Sequence, residues 1–123
     1  MEWMFWDCKK FNSDLSNWDV SNVENMSGMF EECENFNCDL SKWDVSNVEN
    51  MREMFWDCQT FNSDLSNWDV SSVEDMECMF SYCDELKQDF STWNIDQNKV
   101  DCNNMFKGCN KMKDELLPKG ITI

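Results

Sequence analysis

The 123-residue chain has no histidine, one proline, three glycines and ten basic residues against 25 acidic ones. Each shortage excludes something. Without His there is no Cys–His nucleophile, and with no C-x-x-C pair either the sequence offers no zinc set. A formal charge of −15 and a pI near 4.1 argue against nucleic acid or an anionic membrane as partner. No apolar run approaches the roughly 20 residues of a membrane helix, so no membrane insertion is expected. The opening MEWMFWDCKK lacks a basic start, an apolar run and a small-residue cleavage site, so it is no secretory signal. The expected location is intracellular or within a viral assembly rather than secreted. No cofactor-binding motif is present.

What the chain does have is a repeat. FNSDLSNWDVSNVENMSGMFEEC from Phe11 is followed by FNCDLSKWDVSNVENMREMFWDC from Phe36 and FNSDLSNWDVSSVEDMECMFSYC from Phe61. A fourth, divergent copy runs from Leu86 through Trp93 and Ile95 to Met105, Phe106 and Cys109, with one residue inserted. Met4, Phe5 and Cys8 align with Met29, Phe30 and Cys33, so the chain opens inside a repeat. A fixed 25-residue period means one supersecondary unit stacked on itself. We read a single repeat domain over 1–123: a partial coil at 1–10, coils at 11–35, 36–60, 61–85 and 86–111, and a C-terminal strand cap at 112–123.

Within a coil, Leu15, Trp18 and Val20 follow the L-x-x-L-x-L spacing of a short strand. From Val23 the apolar spacing changes to that of Met26, Met29, Phe30 and Cys33, one face of a helix. Ser21 with Glu24 reads as a capping box, repeated by Ser46 with Glu49, by Ser71 with Glu74, and by Asn98 with Asp101 in the fourth copy. The expected fold is therefore α/β: a leucine-rich-repeat-like solenoid of 25-residue coils, with a short parallel strand on one face and a helix on the other. Leu40, Trp43, Val45, Val48, Met51, Met54, Phe55 and Cys58 should be buried and Asp44 exposed.

The pattern M-F-x-x-C-x-x-F-N-x-D-L-S-x-W-D-V-S-x-V-x-x-M over residues 4–109 resembles the BspA-like leucine-rich repeats, specifically the DUF285 repeat of mycoplasma surface lipoproteins. In the fourth copy Lys87 replaces the Asn of FN, and Asn94 and Ile95 replace Asp-Val. The resemblance implies a leucine-rich-repeat fold and a surface protein with binding or adhesion roles. Related repeats occur in protists and large DNA viruses.

Cys8, Cys33, Cys58, Cys83 and Cys109 share one repeat position. Neighbouring helices about 8–10 Å apart would hold them beyond disulfide reach, so reduced, buried thiols are expected. Asp19, Asp44 and Asp69 form one column, ending at Asn94; Asp14, Asp39, Asp64 and Asp89 form a second. Either each Asp bonds its own backbone two residues on, or the columns take a cation such as Ca²⁺. Carboxylates that recur in every coil mark scaffold rather than a glycosidase pair. Trp18, Trp43, Trp68 and Trp93 read as a core ladder, with a sugar-binding stack as the other reading. Trp6 and Trp56 occupy a position where other copies place Glu31, Ser81 and Lys107, which makes them contact candidates.

These features point to a non-enzymatic scaffold for protein–protein interaction through an acidic surface, with Trp6, Trp56, Asp19, Asp44 and Asp69 as candidate binding residues. The alternatives are a structural subunit of a virion or filament, and a surface adhesin for host protein or carbohydrate. The expected partner is a protein, or a second copy through the open N-terminal coil.

Overall fold

Every buried backbone N–H and C=O needs a partner, and every copy of a repeat must bury the same apolar set. The computed structural model describes residues 1–123 and meets both needs with stacked coils. They contain no α-helix and no β-strand: the one regular element is a 3-10 turn at Asp114–Leu116. The α/β, leucine-rich-repeat-like solenoid of strand and helix is therefore corrected. The sheet-like pairing between coils is limited to isolated parallel bridges, Asn25 to Asn50, Asn50 to Asp75 and Asp75 to Asp101.

The expected helix is a run of tight turns. The N–H groups of Met26, Gly28, Phe30 and Glu32 leave the coil and donate to the carbonyls of Asn50, Arg52, Met54 and Trp56 at 2.7–2.9 Å. Those of Met29, Glu31 and Cys33 close four-residue turns on Met26, Gly28 and Phe30. Gly28 (φ 58) and Glu32 (φ 60) sit third in two of these turns, the left-handed place a type II turn requires. An α-helix would send each N–H to the carbonyl four residues back and would exclude φ above zero. The device recurs at Trp3 and Asp7, Glu53 and Asp57, Cys78 and Tyr82, and Asn104 and Gly108. A non-glycine residue in that conformation costs on the order of 1 kcal/mol, offset here by a coil-to-coil hydrogen bond. Successive turns place residues i, i+3, i+4 and i+7 on one side just as a helix does, so apolar spacing alone does not separate the two.

The capping boxes are corrected with the helices. Ser21 and Ser46 cap nothing: each donates its own N–H and hydroxyl to Asp19 or Asp44. Near the fourth pair, the Asn98 N–H donates to Asp96.

In the other half of each coil, side chains replace the backbone ladder. The indoles of Trp43, Trp68 and Trp93 donate to the carbonyls of Leu15, Leu40 and Leu65 at 2.9–3.1 Å. The side-chain oxygens of Asn12, Asn37 and Asn62 accept the N–H of Asn37, Asn62 and Lys87. Ser63 accepts from the Leu40 N–H, and Cys38 stands at the same place against Leu15.

One continuous core results. Leu40, Trp43, Val45, Val48, Met51, Met54, Phe55 and Cys58 are all buried, and Asp44 is exposed. Phe5, Phe30, Phe55, Phe80 and Phe106 stack at 5.4–5.6 Å from coil to coil. Phe11, Phe36 and Phe61 stack beside them at 5.7–6.0 Å. In the fourth coil Leu86 takes the Phe61 place and Phe90 the Leu65 place, a swap that conserves apolar volume; both are buried. The C-terminal strand is corrected to the 3-10 turn followed by a second turn at 119–120, closed by the Ile121 N–H on the Pro118 carbonyl. Leu117 and Ile121 are buried there, and the Leu116 carbonyl accepts from the Phe90 N–H at 2.7 Å.

Candidate functional site

The acidic columns lie on the linking halves of the coils. Asp19, Asp44 and Asp69 are exposed, and each accepts the N–H of the serine two residues on, at 3.0–3.1 Å. For Asp19 and Asp44 the serine hydroxyl also donates, at 2.6 Å. Asp14, Asp39, Asp64 and Asp89 bind Ser16, Ser41, Ser66 and Ser91 in the same way. Of the two readings of these aspartates, the structure contains the local backbone bond.

Serine hydrogen bonds hold Asp19, Asp44 and Asp69 below the usual carboxylate range. At Asp44 the like charges of Asp69 and Asp19 push the other way and lose. The columns are therefore fully ionised at neutral pH. No group of three or more Cys, Asp or Glu side chains converges on a metal position.

The tryptophan candidates lie elsewhere, on the turn halves. Trp6 is 55 % exposed, whereas Trp56 is half-buried and meets Tyr82 edge-on at 5.9 Å. The two are two coils apart, with Glu31 at the same position between them. The structure does not bring them together, nor does it bring either to the aspartates.

Sequence reasoning missed Trp3, whose ring joins Trp6, Glu31 and Glu53 around a cleft of about 340 Å³. Its exposure is 54 %, and the Cδ1–Nε1 edge of its indole lies against Gly28, where a Cβ would fall 1.8 Å from the ring. The available signal was Gly28 itself, one repeat on from Trp3. Tyr82 lies over Gly108 in the same fashion, with the Lys107 ammonium 5.9 Å from its ring centre.

The repeated thiols are chemically quiet. Cys33, Cys58, Cys83 and Cys109 donate to the carbonyls of Phe5, Phe30, Phe55 and Phe80 at 2.9–3.0 Å. Burial pushes Cys33 and Cys109 up to about 12 and Cys58 and Cys83 well above their usual range. All eight cysteines are free. Helix spacing is not the reason, since there are no helices; at Cys33, Cys58, Cys83 and Cys109 the sulfur hydrogen is committed to a neighbouring coil.

No helix is long and apolar enough to cross a membrane. No curated protein and no solved structure matches the chain. One family model does, over residues 1–118, under the description "Mycoplasma protein of unknown function, DUF285". The near-identical coils and this match agree: the chain belongs to the DUF285 family.

Proposed function

We propose that the chain is a non-enzymatic repeat scaffold that binds a protein partner through its acidic surface. The observation that carries this reading is the pair of aspartate columns. Each carboxylate is exposed, ionised and held in one orientation by a serine, and the stacking of coils sets the distance between them. Such an array presents negative charge at a fixed period to a basic, extended surface. With a net charge of −15, it steers cationic partners and repels anionic ones. Thiols buried against carbonyls suit a reducing compartment, which favours an intracellular or virion setting.

The test is chemical crosslinking with mass spectrometry in extracts of the source organism. A chain carrying D19N, D44N and D69N serves as comparator. The reading expects a partner whose recovery falls with the triple substitution and with rising salt. Recovery that is indifferent to both would remove the acidic columns from the account.

A further inference from the structure

At the Trp3–Trp6 cleft two exposed aromatic rings and a carboxylate without a cationic partner, Glu31, share one concavity. Trp3 and Trp6 form its walls, and Glu31 and Glu53 supply its charge. Glu31 is half-buried, and its carboxyl is raised by burial and by the neighbouring Glu53 and Glu32. The indoles of Trp3 and Trp6 act against that rise without cancelling it. Arg52 is committed to ion pairs with Glu53 and Glu77. Of the two carboxylates, Glu31 therefore remains at the cleft without a cationic partner.

We infer that this cleft is a binding site for an organic ammonium cation, whose methyl or methylene groups lie on the Trp3 and Trp6 rings while Glu31 balances the charge. Indole faces carry negative electrostatic potential, and a diffuse alkylammonium loses less hydration than a small metal ion when it leaves water. Carboxylates alone would not separate sodium from tetramethylammonium; aromatic walls do. The site is built by the backbone. Gly28 has no side chain to displace the Trp3 ring, and the other coils hold Trp3, Glu53, Cys78 and Asn104 at this left-handed position. Asparagine is thus compatible with the backbone there but not with the ring above it. The inference stands apart from the aspartate columns, which lie on the other half of the coil.

The experiment follows the indole N–H resonances of the intact chain by NMR while tetramethylammonium chloride is added, with sodium chloride as the control. We expect saturable shifts of the Trp3 and Trp6 signals with tetramethylammonium at millimolar concentration, and none with sodium. E31Q should weaken binding by about tenfold, as loss of a partly desolvated charge partner implies. G28N should abolish it while the remaining indole signals stay in place, showing an intact fold. W56A, outside the cleft, should leave it unchanged. A second arm with a trimethyllysine peptide, and an acetyllysine peptide as its uncharged control, separates a protein-borne cation from a free one: tighter binding of the trimethyllysine peptide than of tetramethylammonium assigns a protein source, and equal binding a free one. Equal responses to sodium and tetramethylammonium, or binding that survives G28N, would overturn the proposal. If the cleft binds but the crosslinked partner ignores the aspartate substitutions, only the acidic-surface reading fails.

Discussion

The two halves of each coil are joined to their neighbours by different chemistry, and their sequences differ accordingly. The linking halves read FNSDLSNWDVSNVENM, FNCDLSKWDVSNVENM and FNSDLSNWDVSSVEDM, almost letter for letter. The turn halves read SGMFEEC, REMFWDC and ECMFSYC, with only Met, Phe and Cys retained. Where side chains make the coil-to-coil bonds, as Trp43, Asn37 and Ser63 do, the side chain itself is the joint. Where the backbone makes them, outward residues are free, and the chain uses that freedom for Trp6, Glu31, Trp56 and Lys107. Variation therefore falls on the turn halves, and so does the candidate cation cleft.

The largest effect expected from this comparison is in the linking half. Trp68→Phe removes the indole donor to the Leu40 carbonyl and leaves a buried acceptor unpaired. It should cost about 1–3 kcal/mol in urea unfolding. Trp18→Phe is the control: that indole is 39 % exposed and has no carbonyl partner, so its loss should be near zero. Equal losses at Trp18 and Trp68 would break the claim that these side chains are joints.

Carboxylates in different surroundings also respond to pH in opposite directions. The aspartates of the linking halves have folded values below 3.8, so the stability they add is present above that value and is lost as pH falls through the lower one. Glu31 on the turn half is raised above 4.5, and Asp75 beside the bridges is raised by burial and by Asp101 against the pull of Arg52. Their contribution is present below the unfolded values and is lost as pH rises through the raised ones. With the overall negative charge adding repulsion, the urea midpoint should rise from pH 7 toward about pH 5 and fall below about pH 4. E31Q should flatten the first part of that profile.

Smaller effects test the turns. Asp57 holds φ 55 in the third place of its turn. Asp57→Gly should be neutral or stabilising by up to about 1 kcal/mol, because relief of left-handed strain offsets the added freedom of the unfolded chain. In a helix the same change would cost about 0.3 kcal/mol. Smallest of all should be Arg52→Ser, which copies Ser27 and removes only part-exposed ion pairs. A change within about 1 kcal/mol is expected.

Much of the fold was legible in the sequence because burial depends on which residues face inward, and periodicity records that directly. The inward set from Leu40 to Cys58, the outward Asp44 and the local Asp–Ser bonds could all be read from spacing and residue type. The backbone conformation could not be read from spacing. Met26, Met29, Phe30 and Cys33 fit a helical face and a chain of four-residue turns equally well. Gly28 and Gly108 were the discriminating residues, since one falls at each of the two left-handed positions. Trp6 could be singled out from its tolerant repeat position, but the cleft needed Trp3 folded over Gly28, a contact between coils that no local pattern encodes.

The central claim is that every second N–H group of the turn halves, Phe30 among them, bonds to the next coil and not to its own. Couplings measured by NMR across hydrogen bonds test it most directly at Phe30, Phe55 and Phe80. The account predicts coupling from these amides to the carbonyls of Met54, Met79 and Met105. Coupling to Met26, Met51 and Met76 instead, each four residues back in the same coil, would establish a helix and contradict it.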